Sequence, residues 1–325
     1  MKINCVLSLL IIMMIVTLAA CSSSDDPEPE PQPESWTNYT TRDGLTSNEV
    51  YALAIDDQNN LWIGTEYGVT KISNGNFSRL TSTQGLVYHS IHAVFPHNGY
   101  VWFGTSLGAS KYEASVFSNF TASPNGLVNN VIRDVAVDHN GHAWFATPGG
   151  VSEFTGDEWF TYKKQGNAGL VYNNVRCIAV DGDNNKWFGT EFGISKFNGE
   201  NWTTFLSEFP LADYIFCTYI DSKGHIWFGS LGGVAVYDGA DWASYTQENG
   251  LVYNEVHAIA EDKNGNMWFG TLYGVSHFDG ANWANYTREN GLSENYVTSI
   301  VADHQGNMWF GTIGGGVCKL SVNNL

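Results

Sequence analysis

Between residues 36 and 320 short apolar runs alternate with tight polar turns, and one stretch shows the whole pattern. From Asn254 the chain reads "NEVHAIAED", an apolar run, then "KNGN", a turn, then "MWFGT". "GVSHF", "DGAN" and "WANYT" follow, ending at Thr287. Runs of this length, rich in β-branched and aromatic residues and separated by Asn-Gly and Asp-Gly steps, predict four consecutive antiparallel strands.

The pattern repeats. A tetrad of Trp, Phe or Ile, Gly or Ala, then Thr or Ser begins at Trp62, Trp102, Trp144, Trp187, Trp227, Trp268 and Trp309, at spacings of 40, 42, 43, 40, 41 and 41 residues. Fifteen residues after each of the first six stands a second aromatic: Phe77, Phe117, Trp159, Trp202, Trp242 and Trp283. The seventh member is absent at that end and is found instead at Trp36, in "WTNYT". Six complete units and one divided between the chain ends predict a ring, because a linear stack would leave two bare apolar faces. The expected fold is all-β: a seven-bladed β-propeller of four-stranded antiparallel blades over residues 36–325, closed by the N-terminal strand joining the last blade.

The segment "GLVYNEVHAIAEDKNGNMWFGTLYGVSHFDG", Gly250–Gly280, resembles the two-component regulator propeller repeat: a Gly-Leu lead, an apolar strand, Asp-x-x-Gly, the Trp tetrad, then Gly-Gly-hydrophobic. Two units depart from it. The second carries Pro96 in the strand-ending aspartate region, and the fifth has "FPLAD" at 209–213 in place of Gly-Leu. The resemblance implies an exported sensor propeller of the kind that serves hybrid histidine kinases responding to polysaccharide fragments. With no second membrane segment or kinase in the sequence, a stand-alone ligand- or partner-binding propeller is expected rather than a signalling enzyme.

The first residues fit export. Val6–Ala20 is a nearly continuous apolar run after Lys2, and residues 1–20 read as a signal peptide. The junction before Cys21 resembles a bacterial lipoprotein signal, which implies lipidation of Cys21 and an outer-membrane lipoprotein on the periplasmic face or cell surface. Residues 21–35, acidic and Pro-rich, read as a disordered tether. The membrane would be held by this N-terminal anchor only, and a monomer is expected.

The formal charge of −18 falls mainly on the propeller segment, which holds 28 acids and 14 bases. Such a balance repels nucleic acid, so no nucleic-acid partner is expected. Of five cysteines, Cys177, Cys217 and Cys318 lie in the repeats, and all three read as small buried hydrophobes without a disulfide framework.

Ring closure brings equivalent positions together. The residue after the leading Val or Ile of each first strand is Tyr51, His92, Arg133, Arg176, Phe216, His257 and Thr298, a variable and polar series in an otherwise apolar strand. The preceding loops add Tyr88, Tyr172, Tyr253 and Tyr296, and the turns after the tetrads add Tyr67, Phe192 and Tyr273. These predict an aromatic mouth at one end of the channel, suited to an oligosaccharide or a partner protein, with Arg133 and Arg176 able to hold the carboxylate of an acidic sugar. The same side chains would also serve simply to plug and solvate the channel.

No metal or other cofactor is expected. His139 and His142, like His89 and His92, are three apart and should point to opposite faces of a strand. "DGDNN" at Asp181–Asn185 lacks the Glu that closes a calcium loop. Lys71, Lys111, Lys196 and Lys319 recur on third strands, where a solvated surface is expected. The propeller also resembles the streptogramin lyases, in which His and Glu act with a divalent cation. His257 with Glu255 or Glu294 would be the matching pair for a streptogramin-lyase-like or polysaccharide-lyase activity, although those enzymes carry Trp-Phe-Thr with Glu close behind where this chain has Trp-Phe-Gly-Thr. A protein-interaction scaffold is the remaining alternative, and no catalytic residue is assigned.

Overall fold

The computed structural model describes residues 35–166, 168–205, 211 and 214–321. The signal segment, Cys21, the tether to residue 34 and most of residues 209–213 lie outside the described residues. Seven four-stranded antiparallel sheets follow one another along the chain, each with its first strand innermost. The blades begin at Val50, Ile91, Asp134, Val175, Ile215, Val256 and Val297. The last is completed by Ser35–Tyr39, which pairs antiparallel with Gly316–Ser321 and brings Trp36 opposite Leu320. The closing strand thus takes in Ser35, one residue of the expected tether.

The tetrads account for how one blade meets the next. Each Trp packs on the Phe of the following blade: Trp62 on Phe103, Trp144 on Phe188, Trp187 on Phe228 and Trp268 on Phe310, at ring separations of 5.7–6.2 Å. Where the ring closes, Trp309 shares a cluster with Ile63, which stands in the Phe position of blade 1. Gly270 lets this approach happen, since a Cβ there would lie 2.8 Å from Cγ1 of Val297 in the next blade. The Thr or Ser that ends each tetrad donates its hydroxyl to the Gly carbonyl three or four residues on, as Thr271 does to Gly274 at 2.9 Å and Ser230 to Gly233 at 3.0 Å. All seven blades make this bond.

The second aromatic series has a different partner. It is half-buried, and in four blades it lies on the glycine of the Gly-Leu lead: a Cβ on Gly250 would meet the Trp283 ring at 2.5 Å, and Gly44, Gly85 and Gly291 hold Phe77, Phe117 and Trp36 in the same way. The leucines beside these glycines, Leu45, Leu86, Leu251 and Leu292, are at most 4% exposed.

Six blades share one further device. An Asp six residues before the tetrad Trp accepts the indole N–H at 2.8–3.1 Å: Asp56, Asp138, Asp181, Asp221, Asp262 and Asp303. The other carboxylate oxygen accepts N–H groups of the turn, as Asp262 does from Asn264 and Asn266. Burial alone would raise these carboxyls. The hydrogen bonds outweigh it and hold Asp56, Asp138, Asp181 and Asp262 below the usual carboxylate range. "DGDNN" is one of these capped turns. Blade 2 places Pro96 here and lengthens the hairpin instead, pairing Pro96 with Val101 around a turn in which Asn98 and Gly99 have φ of 45° and 87°.

The third-strand lysines are not merely solvated, as the sequence suggested. Each stands across from a tetrad Trp in the ladder, and Lys71, Lys196 and Lys319 lie 4.5–5.1 Å over its ring. Lys111 instead covers Tyr100, at 4.1 Å. Cys177 and Cys318 are buried free thiols, and Cys217 is half-buried rather than enclosed.

Candidate ligand site at the channel mouth

In the parallel array of first strands, the residue after each leading Val or Ile turns toward the channel near the end where the lead loops enter. In blade 3 it is Arg133, just ahead of the strand that begins at Asp134. A local irregularity helps to place it. The inner ladder shifts register around this residue in six blades, for example between Val50 and Ala52 and between Val256 and Ala258. Such a bulge releases one side chain from the regular in–out alternation. The result is one cavity of about 310 Å³ lined by Tyr51, His92, Arg133, Arg176, Phe216, His257 and Thr298, with Val131. All seven members of the sequence series meet there. At the far ends of the inner strands the channel is largely apolar, lined by Phe95, Ala136, Ile178, Val180, Tyr219 and Ile220 among others.

The two arginines of the mouth are placed differently. Arg176 donates to the Tyr214 hydroxyl at 2.8 Å and to Oε1 of Glu191 at 3.4 Å, and the Tyr214 hydroxyl donates to the same Glu191 oxygen at 3.0 Å. Its guanidinium also packs 4.8 Å from the Tyr214 ring and 5.2 Å from Phe216. Arg133, from the neighbouring blade, has no side-chain hydrogen bond or ion pair among the described residues, and the Nε of both arginines is buried without a partner. Burial and the charge of Arg176 both lower the proton affinity of Arg133, partly offset by Glu191.

The histidines are held neutral. Burial, then Arg133, lowers His92, whose Nε2 lies 2.7 Å from the Ser106 hydroxyl. His257 is lowered by burial and further by Arg176, against a raising contribution from Glu255, 2.9 Å away. His257 is packed between Phe216 and Tyr296, with ring centroids at 4.3 and 5.0 Å. Tyr51 lies beside His92 at 5.5 Å, and its hydroxyl is raised by burial and by Glu66 and Glu49. At neutral pH the cavity therefore presents aromatic faces, neutral imidazoles and two guanidiniums.

The remaining predicted residues stand outside this lining, at the rim. Tyr172 with Phe192 and Tyr253 with Tyr273 form edge-on pairs at 4.7 and 4.6 Å, while Tyr67 and Tyr88 both pack on His89. Tyr67, Phe192 and Tyr273 are each more than half exposed, and Leu107 and Leu231 add apolar surface at the corresponding turns. Of the two acids considered beside His257, Glu255 is its partner, whereas Glu294 pairs with Arg288 at 3.2 Å.

One channel residue had no counterpart in the sequence reading. Asp134, directly after Arg133, accepts N–H groups from Ile178 of the next blade and from Val135, both at 2.8 Å. Ser299 does the same work in the last blade, accepting from Leu53 at 3.0 Å. Enclosure of the Asp134 carboxyl raises it to about 7. The available signal was a lone carboxylate inside the apolar run "RDVAV".

Away from the mouth, Asp138, His142 and Glu153 bring possible ligand atoms within 4.8 Å of one another. Each is already engaged. Lys186 lies 3.1 Å from Asp138, His142 lies 2.7 Å from Glu153, and Tyr162 donates to Glu153 at 2.7 Å. A cation would have to displace Lys186, so the group reads as an inter-blade ion-pair network. His139 lines the far end of the channel, apart from His142.

Fold and mouth together define a seven-bladed β-propeller with one ligand-sized basin on its channel axis. Residues 44–67, 126–149, 210–232, 250–273 and 291–314, in five of the seven blades, match the two-component regulator propeller repeat. No curated protein matches the chain. Among solved structures, it is similar to the extracellular domain of a hybrid two-component system, BT3049 of B. thetaiotaomicron, with 26% identity and a TM-score of 0.78. That match covers 90% of this chain but only 42% of the other. A virginiamycin B lyase from Staphylococcus aureus, solved with quinupristin, shares the fold at 16% identity and a TM-score of 0.71, over 89% of this chain and 99% of the lyase. PorZ, a surface component of the type IX secretion system of Porphyromonas gingivalis, shares it at 15% identity and 0.67, over 84% of this chain and 46% of PorZ.

Proposed function

We propose that this chain is an exported, sensing-type propeller that binds a saccharide ligand at its channel mouth. The observation that carries the reading is the convergence of all seven residues after the leading Val or Ile on one cavity, at the lower end of the ~300–1,000 Å³ range of ligand sites. Aromatic faces there suit the C–H faces of a sugar ring, and the guanidiniums suit its oxygen substituents. The repeat family and the extracellular neighbour support export and a sensing role, with attachment through a lipidated Cys21 as part of the same proposal.

The test is a thermal-shift and titration screen of the purified protein against neutral and acidic oligosaccharides. A binder at a hundred times its Kd should stabilise the fold by about 2.7 kcal/mol, and Arg176→Ala with His257→Ala should abolish the shift. Absence of any shift across the screen would sink the reading. A partner protein is the second reading, favoured by the exposed rim of Tyr67, Leu107, Phe192, Leu231 and Tyr273. A lyase would reveal itself by product formation lost in His257→Ala, because His257 and Glu255 are the hydrogen-bonded pair at the mouth.

A further inference from the structure

The two guanidiniums of the mouth differ in one respect that bears on ligand choice. Arg176 already has its counter-charge in Glu191, a second acceptor in Tyr214, and two aromatic rings against its plane. It is a fixed part of the wall. Arg133 sits in the same cavity with no ion pair and no side-chain hydrogen bond among the described residues, and with Arg176 as its charged neighbour, while Nε is buried and unbonded in both arginines. The carboxylate closest in effect, Glu191, is shared with Arg176.

A half-buried guanidinium beside a second positive charge is costly to leave without a counter-charge. The cost is removed if an anion with two coplanar oxygens completes the fork. Around that position lie Tyr51, Phe216 and the His257–Tyr296 stack, flat surfaces that suit a sugar ring rather than a compact inorganic anion. The protein as a whole carries −18, so general attraction does not draw anions to it. Selectivity has to come from the local pair.

We propose that Arg133 anchors a carboxylate of the ligand, making the mouth selective for uronate-containing saccharides over their neutral counterparts. This rests on the saccharide reading above and sharpens it: Arg133 is the recognition residue, and Arg176 positions the wall beside it. Glu49, Glu66 and Glu255, on the other blades around the mouth, oppose an acid placed toward them and so direct the carboxylate to the Arg133 side.

Trisaccharides of galacturonate, glucuronate and mannuronate, each titrated against its own methyl ester, isolate the charge from the sugar. At least one acid should bind tenfold or more tightly than its ester. Arg133→Gln should remove that preference, lowering acid affinity at least tenfold more than ester affinity, and should leave the ligand-free melting temperature unchanged or higher. Arg176→Gln should lower both affinities and the melting temperature, since it strands Glu191. Arg133→Met is the second variant, keeping the stem without the fork.

Equal binding of acid and ester overturns this inference but leaves the saccharide site standing. Preference that survives Arg133→Gln and Arg133→Met also overturns it. If no trisaccharide binds, both readings fall. A short peptide binding through its free C-terminus and not as the amide, with no saccharide binding, would move the anchor to a protein ligand and refute the uronate assignment.

Discussion

Asp134 shows what a single side chain does to the balance of this fold. Its carboxyl is raised to about 7 in the folded chain, against an ordinary value near 3.8. The folded state therefore holds this proton more tightly than the unfolded chain does. The stability it contributes is fully present below about pH 4 and is lost as pH rises to about 7. The difference is on the order of 4 kcal/mol at most, less because part of the residue faces the channel. Asp134→Ser should keep the bond to the Ile178 N–H, as Ser299 keeps the one to Leu53, and remove the titration. Urea unfolding at pH 5 and pH 8 should then show a smaller fall in stability for the variant than for the parent. The same fall in both would refute the assignment. Arg133, the residue before it, was legible from sequence only as one member of a variable series. That it lacks the acceptors Arg176 has depends on where Glu191 and Tyr214 stand, and nothing in the repeat period specifies that.

At the level of the strand pair and its turn, the Asp-to-Trp bond is the recurring unit. Asp262 takes the Trp268 indole N–H and two turn N–H groups, and against the pull of burial His277, 3.7 Å away, together with these bonds holds its carboxyl below the ordinary range. The sign is opposite to that of Asp134: the contribution is present above about pH 4 and is lost as pH falls through the lowered value. Asp262→Ala should cost about 1–3 kcal/mol at pH 7 by leaving a buried indole donor unmatched. At pH 2 the variant and the parent should differ much less. A cost that does not change with pH would mean that the bond matters for shape alone. The Asp-x-x-Gly pattern was visible in the sequence, but its partner was not, because the indole lies across the hairpin from the turn. Blade 2 shows the reverse case, in which Pro96 marked a departure and the longer Asn98-Gly99 hairpin supplied its reason. The third-strand lysines were placed on the right strand and given too plain a role, since cross-strand register sets each opposite a tetrad Trp and three of the four lie over its ring.

For the whole molecule, closure is the decisive event. Ser35–Tyr39 is the outer strand of the last blade, and Trp36 packs on Phe310 and Tyr286 at 5.5 and 5.7 Å. A chain beginning at Arg42 would bare the edge of Gly316–Ser321 and lose that aromatic packing. It should melt at least about 10 °C lower, the shift expected from losing several kcal/mol in a domain of this size, and elute partly as larger species through edge pairing. Unchanged melting would mean that the ring does not depend on this strand. Closure also makes the mouth, for the seven residues that line it are spread over nearly 250 positions of sequence and share a cavity only because the first and last blades touch. Leu53 to Ser299 and Thr298 to Val50 are among the hydrogen bonds that join them, with Gly314 and Gly316 to Asn48.

The sequence by itself determined the repeat, its count, the strand pattern, the divided blade and the seven positions that face one end of the channel. Those follow from periodicity and turn chemistry, which are local and written in order along the chain. Tertiary structure decided which of the fourteen candidate side chains share the cavity and which pair off at the rim. It also decided that one arginine is matched and its neighbour is not, and that a carboxyl is enclosed between two blades. These depend on distances across blades, and small differences in side-chain direction on a curved ring fix them.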